Sequence, residues 1–161
     1  MAELEPILAV GTPDRRFWLD AANAEVRRLC GWHVAPVITQ TLEMDGTGGQ
    51  FLLLPTNKLL KVTACTNDGV DVLPYVDASE KGMLHLRSGR WSTRFRGVTV
   101  TIEHGYESAP DVAGVIAAVA ERSGSMIRTQ SVGPAAVGYA VAELLQSERD
   151  KLAPYRLQWG A

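Results

Sequence analysis

The sequence predicts an α+β fold, with about three helices and a small antiparallel β element inserted between the first and second long helices. Two patterns support this prediction. Apolar residues recur at a helical period of about 3.6 near both ends of the chain, whereas they alternate at a period of about 2 across residues 37–104. The composition, 46% hydrophobic and 21% charged over 161 residues, is typical of a globular protein. We therefore expect residues 1–161 to form a single domain.

The first helix is predicted over residues 12–30. Thr12 can cap the first backbone amides and Pro13 is tolerated at the first helical position, so together they are a strong start signal. Gly31 supplies a C-terminal stop. One face carries apolar residues at helical spacing, namely Trp18, Ala22, Val26 and Leu29.

The β element is predicted over residues 37–104. Strands at 38–44 and 51–54 flank a glycine-rich turn at 45–49, which is the pattern of a β-hairpin. Further strands are expected at 58–66, 70–76, 83–87 and 97–104. In the last of these, Val98, Val100 and Ile102 share one face.

Helical periodicity returns after residue 109. We predict a packing helix over residues 110–127 and a last helix over residues 141–154, where Ser147 and Asp150 have the spacing of a capping box. Residues 155–161 then form a tail, and residues 130–140 receive no assignment. The core between the helices is expected to contain Trp18, Val26, Val112, Val119 and Leu144.

Charge and cysteine content argue against several classes of protein. The 16 basic and 18 acidic side chains give a formal charge of −2, whereas nucleic-acid binders need clustered Lys and Arg to neutralise phosphates. Cys30 and Cys65 alone cannot build a zinc ligand set or a disulfide framework. The N-terminus lacks the leading positive charge of a secretory signal, and no apolar run reaches the ~18 residues of a membrane span. We expect cytoplasmic synthesis, no membrane contact and no cofactor.

No motif points specifically to catalysis. The turn at residues 45–49 lacks the lysine of a phosphate-binding loop and precedes a strand. The three histidines lack metal-ligand spacing, and Glu103 points to the face opposite His104, which favours a structural role for that histidine. We expect no catalytic residue and no metal site; a small cytoplasmic enzyme is the least favoured of three interpretations.

The segment Arg87–Arg96 contains four arginines interleaved with two aromatic residues. Such a segment could bind nucleic acid, which is the alternative function, because arginine and aromatic rings grip phosphates and stack on bases. It could also be a connection whose arginines pair with Asp77, Glu80 or Glu103. We favour a structural or protein-interface role. The residues predicted to contact a partner are Arg90, Trp91, Arg94, Arg96, Tyr155, Arg156 and Trp159.

Several short motifs occur in a characteristic order along residues 12–157. They are Cys30-Gly31-Trp32-His33-Val34, Gly89-Arg90-Trp91, Arg96-Gly97-Val98-Thr99-Val100-Thr101, His104-Gly105-Tyr106, Pro110-Asp111-Val112-Ala113, and Ser147-Glu148-Arg149 followed by Tyr155-Arg156. In this order and spacing the sequence resembles the head-to-tail adaptor (head-tail connector) proteins of tailed bacteriophages, particularly those of actinobacterial hosts.

The resemblance implies a mainly helical connector fold and a structural virion protein that is not an enzyme. Members of the family form a ring, commonly of twelve copies, that docks below the portal protein and meets the next connector, stopper or tail protein. Genomic double-stranded DNA passes through the ring without sequence-specific binding. We therefore expect synthesis in the host cytoplasm and a final position at the head-tail junction. One departure is the stretch Gly133–Tyr139, where Pro and Ala weaken a strand-like segment that relatives often have before the last helix.

Overall fold

The structure is a computed structural model that describes residues 14–126 and 143–157. It divides into two units. The helical unit comprises the chain up to Leu29 together with Pro110–Pro154, and the β unit comprises Cys30–Ala109 together with the segment that starts at Tyr155. The α+β class is confirmed, as is the placement of the strands between the first two helices.

The helical unit contains three α-helices within the described ranges: α1 (Arg15–Cys30, whose last residue belongs to the β unit), α2 (Pro110–Met126) and α3 (Gln146–Leu152). The five residues predicted for the core are all buried: Trp18, Val26, Val112, Val119 and Leu144. Gly124 leaves room for the indole of α1, since a Cβ there would lie 3.4 Å from Trp18 Cδ1. None of these three helices is both long and apolar enough to cross a bilayer.

The last helix starts later than the prediction of residues 141–154. Within the described part of that range, α3 begins at Gln146, and a 3₁₀ turn over Ala153–Tyr155 follows it. The predicted capping box between Ser147 and Asp150 is wrong. Leu145 is extended, and its N–H donates to Glu148 Oε2 at 2.8 Å, so Glu148 caps the helix in its place. The predicted start of α1 at residue 12, residue 127 and the stretch 130–140 lie outside the described residues.

The described residues of the β unit form seven strands: β1 (Ile38–Met44), β2 (Phe51–Leu53), β3 (Leu59–Asn67), β4 (Val70–Asp71), β5 (Val76–Ala78), β6 (Met83–Leu86) and β7 (Val98–His104). They form a four-stranded sheet in the order β1-β7-β3-β4 and a three-stranded sheet in the order β2-β6-β5. All pairs are antiparallel. Side chains from both sheets share one core, and the predicted alternation of β7 is confirmed because Val98, Val100 and Ile102 are fully buried there.

The predicted hairpin between residues 38–44 and 51–54 is wrong. β1 pairs with β7 and β2 pairs with β6, so the two strands belong to different sheets. The glycines between them bond to a distant segment: Gly46 N–H donates to Arg94 O at 3.2 Å and Gly48 N–H to Ser92 O at 3.0 Å. A Cβ at Gly46 would lie 1.8 Å from Ser92 O, which explains the need for glycine there.

The predicted strand over residues 70–76 is interrupted. Only Val70–Asp71 pair with β3; a 3₁₀ turn over Leu73–Tyr75 follows before β5 begins. Asp71 Oδ1 accepts the Leu73 N–H at 3.0 Å and starts the turn, and Pro74 has no N–H to offer a strand partner.

Candidate protein-interaction surface

Trp91 was predicted to contact a partner, and the structure contradicts this. Only 1% of its surface is exposed. Its Nε1 donates to Gln50 O at 3.0 Å, and its backbone N–H donates to Gly49 O at 2.8 Å. An aromatic ring buried with its polar atom satisfied stabilises the core of the β unit. Trp91 is therefore a core residue and not a contact residue.

The other three predicted residues of the segment Arg87–Arg96 lie at the surface. Arg94 Nη1 lies 3.9 Å from Asp68 Oδ1, and Arg96 forms an ion pair with Glu43. Arg90 makes a long contact of 3.5 Å from Nη1 to Gly48 O. Arg90, Arg94 and Arg96 are thus all exposed side chains of the β unit.

Of the carboxylates expected to pair with the arginines of the segment Arg87–Arg96, Asp77 does so and Glu80 does not. Arg87 Nε lies 3.6 Å from Asp77 Oδ1, as expected. Glu80, however, pairs with Lys58. Arg94 and Arg96 face Asp68 and Glu43 instead of the expected carboxylates, and Arg90 forms no ion pair among the described residues, so the positive charge of the segment is compensated only in part.

We call residues 92–97 the tip. Hydrogen bonds within this segment and to other segments of the β unit hold it in place. Ser92 Oγ donates to Asp68 Oδ1 and accepts the Arg94 N–H, both at 2.9 Å. The Ser92 N–H donates to Asn67 Oδ1 at 2.8 Å. These bonds link the tip to the turn between β3 and β4.

The end of the tip has little conformational freedom. Arg96 has a φ of 55°, a left-handed conformation that residues other than glycine seldom adopt. Its N–H donates to Asp45 Oδ1 at 2.8 Å. At Gly97 a Cβ would lie 2.6 Å from Ser92 Oγ, so no side chain fits without a shift. The neighbours of the tip therefore hold it in one strained conformation.

Phe95 lies within this tip, and 88% of its surface is exposed. This is the largest exposed fraction for a large hydrophobic residue in the described ranges. Phe95 was not among the predicted contact residues, whereas Trp91 was. The segment is neither a helix nor a strand, so no periodicity assigns its two aromatic rings to an inner or an outer face. Which ring points outward depends on contacts with segments that are distant in sequence, namely the glycine turn at residues 45–49 and the carboxylates that bind the tip.

A groove crosses the outer face of the three-stranded sheet close to the end of β1. Phe51, Leu53 and Met83 are 55%, 42% and 41% exposed, whereas Leu52 and Leu84 between them point into the core. The groove has a volume of about 640 Å³, and its lining includes Glu43, Met44, Asp45, Phe51, Leu53 and Met83. It thus has an apolar floor and an acidic border.

The segment that starts at Tyr155 is anchored within the β unit, although residues 155–161 were predicted as a tail. Trp32 Nε1 donates to Tyr155 O at 2.6 Å, and the Leu157 N–H donates to Cys30 O at 3.0 Å. The rings of Tyr155 and Tyr106 meet edge to face at 5.3 Å. Of the contact residues predicted here, Tyr155 is half-buried and Arg156 is exposed. Trp159 lies outside the described residues.

His104 occupies a structural position at the end of β7. It is 1% exposed, and its Nε2 lies 3.1 Å from Gln40 Oε1, an acceptor, which assigns the proton to Nε2. Burial lowers the pKa of His104, and its electrostatic interaction with His33 adds to this effect. Nδ1 is buried without a hydrogen-bond partner among the described residues. The ring is therefore neutral near pH 7.

The thiols show no sign of activation. Burial raises the pKa of Cys30 and of Cys65 to about 11, so few thiolates form near neutral pH. Within residues 14–126 and 143–157, no group of three His, Cys, Asp or Glu side chains is placed to hold a metal ion.

The fold is similar to that of proteins in the neck of a phage-like particle. It matches a chain in the neck of a native GTA particle, computed with C12 symmetry, with a TM-score of 0.61 and 15% identity over 99% of this chain and 89% of that chain. A chain in the neck of an empty GTA particle, computed with C6 symmetry, gives a TM-score of 0.56 and 17% identity over 99% and 90%.

A third match is to a chain in the virion of a native gene transfer agent (GTA) particle, with a TM-score of 0.53 and 14% identity over 89% of this chain and 77% of that chain. No protein-family model matches the sequence, and neither does a curated protein. At these identities the likeness is one of fold. The narrower resemblance to proteins of actinobacterial phages receives no support from these neighbours.

Proposed function

We propose that the chain is a structural virion protein, a ring-forming head-to-tail adaptor that docks below the portal and continues the DNA channel towards the tail. It acts by binding its neighbours and catalyses no reaction. The observation that carries this proposal is the similarity of fold, over 99% of the chain, to chains in the necks of GTA particles. Those necks were computed with C12 and C6 symmetry, which supports an assembly of repeated copies.

The exposed apolar side chains of the β unit support a role in binding other proteins. Phe51, Leu53, Met83 and Phe95 are each more than two-fifths exposed. Three of them lie together on one sheet face, and the fourth stands on a rigid tip. A surface that combines such residues with arginines has the composition of a protein interface.

The alternative function, a nucleic-acid-binding module that uses Arg87–Arg96, has weaker support. Arginines bind DNA by replacing counterions at phosphates. Here Arg87, Arg94 and Arg96 face Asp77, Asp68 and Glu43, so a phosphate would compete with a carboxylate at each of them. A chain with a formal charge of −2 suits a channel through which DNA passes without being held.

Mass measurement of the purified chain, alone and mixed with the portal protein of the same particle, tests the proposal. We expect several copies to bind each portal ring, whereas a portal from an unrelated phage binds none. A chain that remains a monomer and never associates with its portal would contradict the proposal. Monomeric behaviour of the chain alone would not, because the portal can act as the template for assembly.

DNA binding separates the two functions. With a duplex of mixed sequence, the adaptor should bind weakly at every salt concentration. A nucleic-acid-binding module would lose affinity steeply as salt rises, with a logarithmic slope of about −0.9 for each phosphate contacted.

A further inference from the structure

We propose that Phe95 of one copy inserts into the apolar groove of a neighbouring copy, and that this contact joins the copies of the ring. The groove is the one lined by Met44, Phe51, Leu53 and Met83 and bordered by Glu43 and Asp45. This inference deepens the proposed function and rests on it, because it requires copies of the chain to be neighbours.

Phe95 has the properties of a binding anchor. It is 88% exposed, so nearly all of its apolar surface is available to a partner. The tip that carries it is held in place through Ser92, Asp68 and Asp45. A group that is already held in its bound position loses little conformational entropy on binding. Aromatic residues, phenylalanine among them, are also enriched in protein interfaces, as are methionine and arginine.

The groove can receive an aromatic ring. It is open to solvent, and its floor is formed by aliphatic, thioether and aromatic side chains against which a ring can pack. Met44 and Met83 can change conformation to fit an incoming ring, because methionine is unbranched and flexible. The exposed surfaces of Phe51 and Leu53 would lose contact with water in the same step.

The charges around the two surfaces are complementary. On the tip side, Arg94 has 79% of its side chain exposed and a carboxylate no nearer than 3.9 Å, and Arg90 has no ion pair among the described residues. On the groove side, Glu43 is already paired with Arg96 of its own chain, whereas Asp45 accepts the backbone N–H of Arg96 and forms no ion pair with a described cation. Insertion of Phe95 would bring Arg94 or Arg90 of one copy towards Asp45 of the next.

The tip and the groove use different residues of the same chain, and they adjoin each other, because Arg96 of the tip pairs with Glu43 and donates its N–H to Asp45 at the groove's border. A contact between them is heterologous: each copy uses its tip on one neighbour and its groove on another. Such contacts extend from copy to copy and form a ring when the rotation between copies closes. The proposal therefore accounts for a repeated assembly with one type of contact.

Photo-cross-linking identifies the surface that Phe95 touches. The variant Phe95→p-benzoylphenylalanine keeps an aromatic ring at position 95 and reacts on irradiation with the C–H bonds next to it. We would irradiate the full chain, mixed with isotopically labelled unmodified chain, at the highest soluble concentration and again after addition of portal protein. We expect cross-links between copies to the peptides that contain Met44, Leu53 or Met83. Cross-links to other surfaces, or none between copies, would overturn the proposal.

Charge substitutions test the two surfaces separately. Phe95→Asp and Leu53→Asp should each reduce self-association at least tenfold, whereas Phe95→Leu should retain most of it. Tyr75→Asp is the matched control, since Tyr75 is a 55% exposed aromatic residue outside the groove, and it should assemble as the wild type does. A mixture of Phe95→Asp and Leu53→Asp chains retains one intact tip and one intact groove, so it should form dimers of one chain of each kind but no larger ring.

The outcomes separate this inference from the proposed function. If the wild type and Phe95→Asp bind the portal as equally complete rings, the inference is wrong and the adaptor function stands. If the wild type never joins a portal, the proposed function fails. If Phe95→Asp instead lowers the affinity for a DNA duplex and leaves self-association unchanged, Phe95 belongs to a nucleic-acid interface and the inference is wrong.

Discussion

Arg122 and Glu148 form a two-point ion pair between α2 and α3. Both terminal nitrogens of the guanidinium lie 2.9 Å from the carboxylate oxygens. Only 9% of the Glu148 side chain is exposed, and its carboxylate also caps α3 through the Leu145 N–H. The hydrogen bonds from Arg122 lower the pKa of Glu148 against the opposing effect of burial. One carboxylate thus joins two helices and starts one of them.

We predict that Glu148→Gln lowers the free energy of unfolding by about 2 kcal/mol, because it weakens charge-assisted hydrogen bonds at a mostly buried position. Urea unfolding at pH 7 measures the change. Asp150→Asn is the control: this carboxylate bonds only to the exposed Gln146 side chain among the described contacts and should leave stability unchanged. Equal losses of stability in the two variants would show that the ion pair with Arg122 contributes no more than the exposed contact of Asp150.

The effect of Glu148→Gln should disappear in acid. Since the folded-state pKa of Glu148 is lowered from 4.5, its contribution is fully present above pH 4.5 and is lost as the pH falls through the folded-state value. The unfolding curves of the two proteins should therefore converge at low pH. A difference that stays constant down to the lowest accessible pH would contradict this explanation.

His104 makes the stability of the protein depend on pH in the same direction. Its pKa is lowered in the folded state from 6.5, so the unfolded chain binds the proton more readily and stability falls as the pH drops below 6.5. The slope for one proton is at most about 1.4 kcal/mol per pH unit. We predict that His104→Gln flattens this slope between pH 7 and 5, as measured by urea unfolding. An unchanged slope would mean that His104 is not the group that titrates.

The two aromatic residues of the segment Arg87–Arg96 should behave in opposite ways. Trp91→Ala removes a buried ring and should destabilise the protein by about 3–5 kcal/mol. Phe95→Ala removes an exposed ring and should change stability by less than about 0.5 kcal/mol. Thermal and urea unfolding compare the two variants, with Trp91→Phe as an intermediate case. A stable Trp91→Ala protein would return Trp91 to the set of contact residues.

Shortening the chain from its C-terminal end should change its stability by an amount that depends on where the truncation begins. Removal of residues 155–161 deprives Trp32 Nε1 of its acceptor and Cys30 O of its donor, so we predict a loss of about 2 kcal/mol or more in the stability of the β unit. Removal of residues 158–161 keeps both bonds and should therefore lower stability less than the longer truncation does. Urea unfolding of the two truncated chains decides; equal stability would mean that the anchored segment contributes nothing.

The sequence predicted those parts of the fold in which local pattern and burial agree. The alternation of Val98, Val100 and Ile102 marks the centre of a sheet, and the spacing of Trp18 and Val26 marks the buried face of a helix. Both signals arise within one element, so they need no knowledge of its partners.

The sequence could not predict pairings between distant segments. The turn at residues 45–49 has the composition of a hairpin, but its amides bond to the tip some forty-five residues later. The prediction that Trp91 contacts a partner failed for the same reason. Trp91 and Phe95 have similar neighbours in sequence. Their different burial depends on distant residues, because the indole of Trp91 binds Gln50, whereas Asp45 binds the backbone of the tip next to Phe95.

The most direct test of the proposed function is a cryo-electron microscopy reconstruction of the neck of the particle that is encoded alongside this chain. The proposal predicts a closed ring between the portal and the tail, each subunit of which fits the β unit and the helical unit with the sequence of this chain. A neck whose subunits fit other sequences, with this chain absent from the particle, would contradict it.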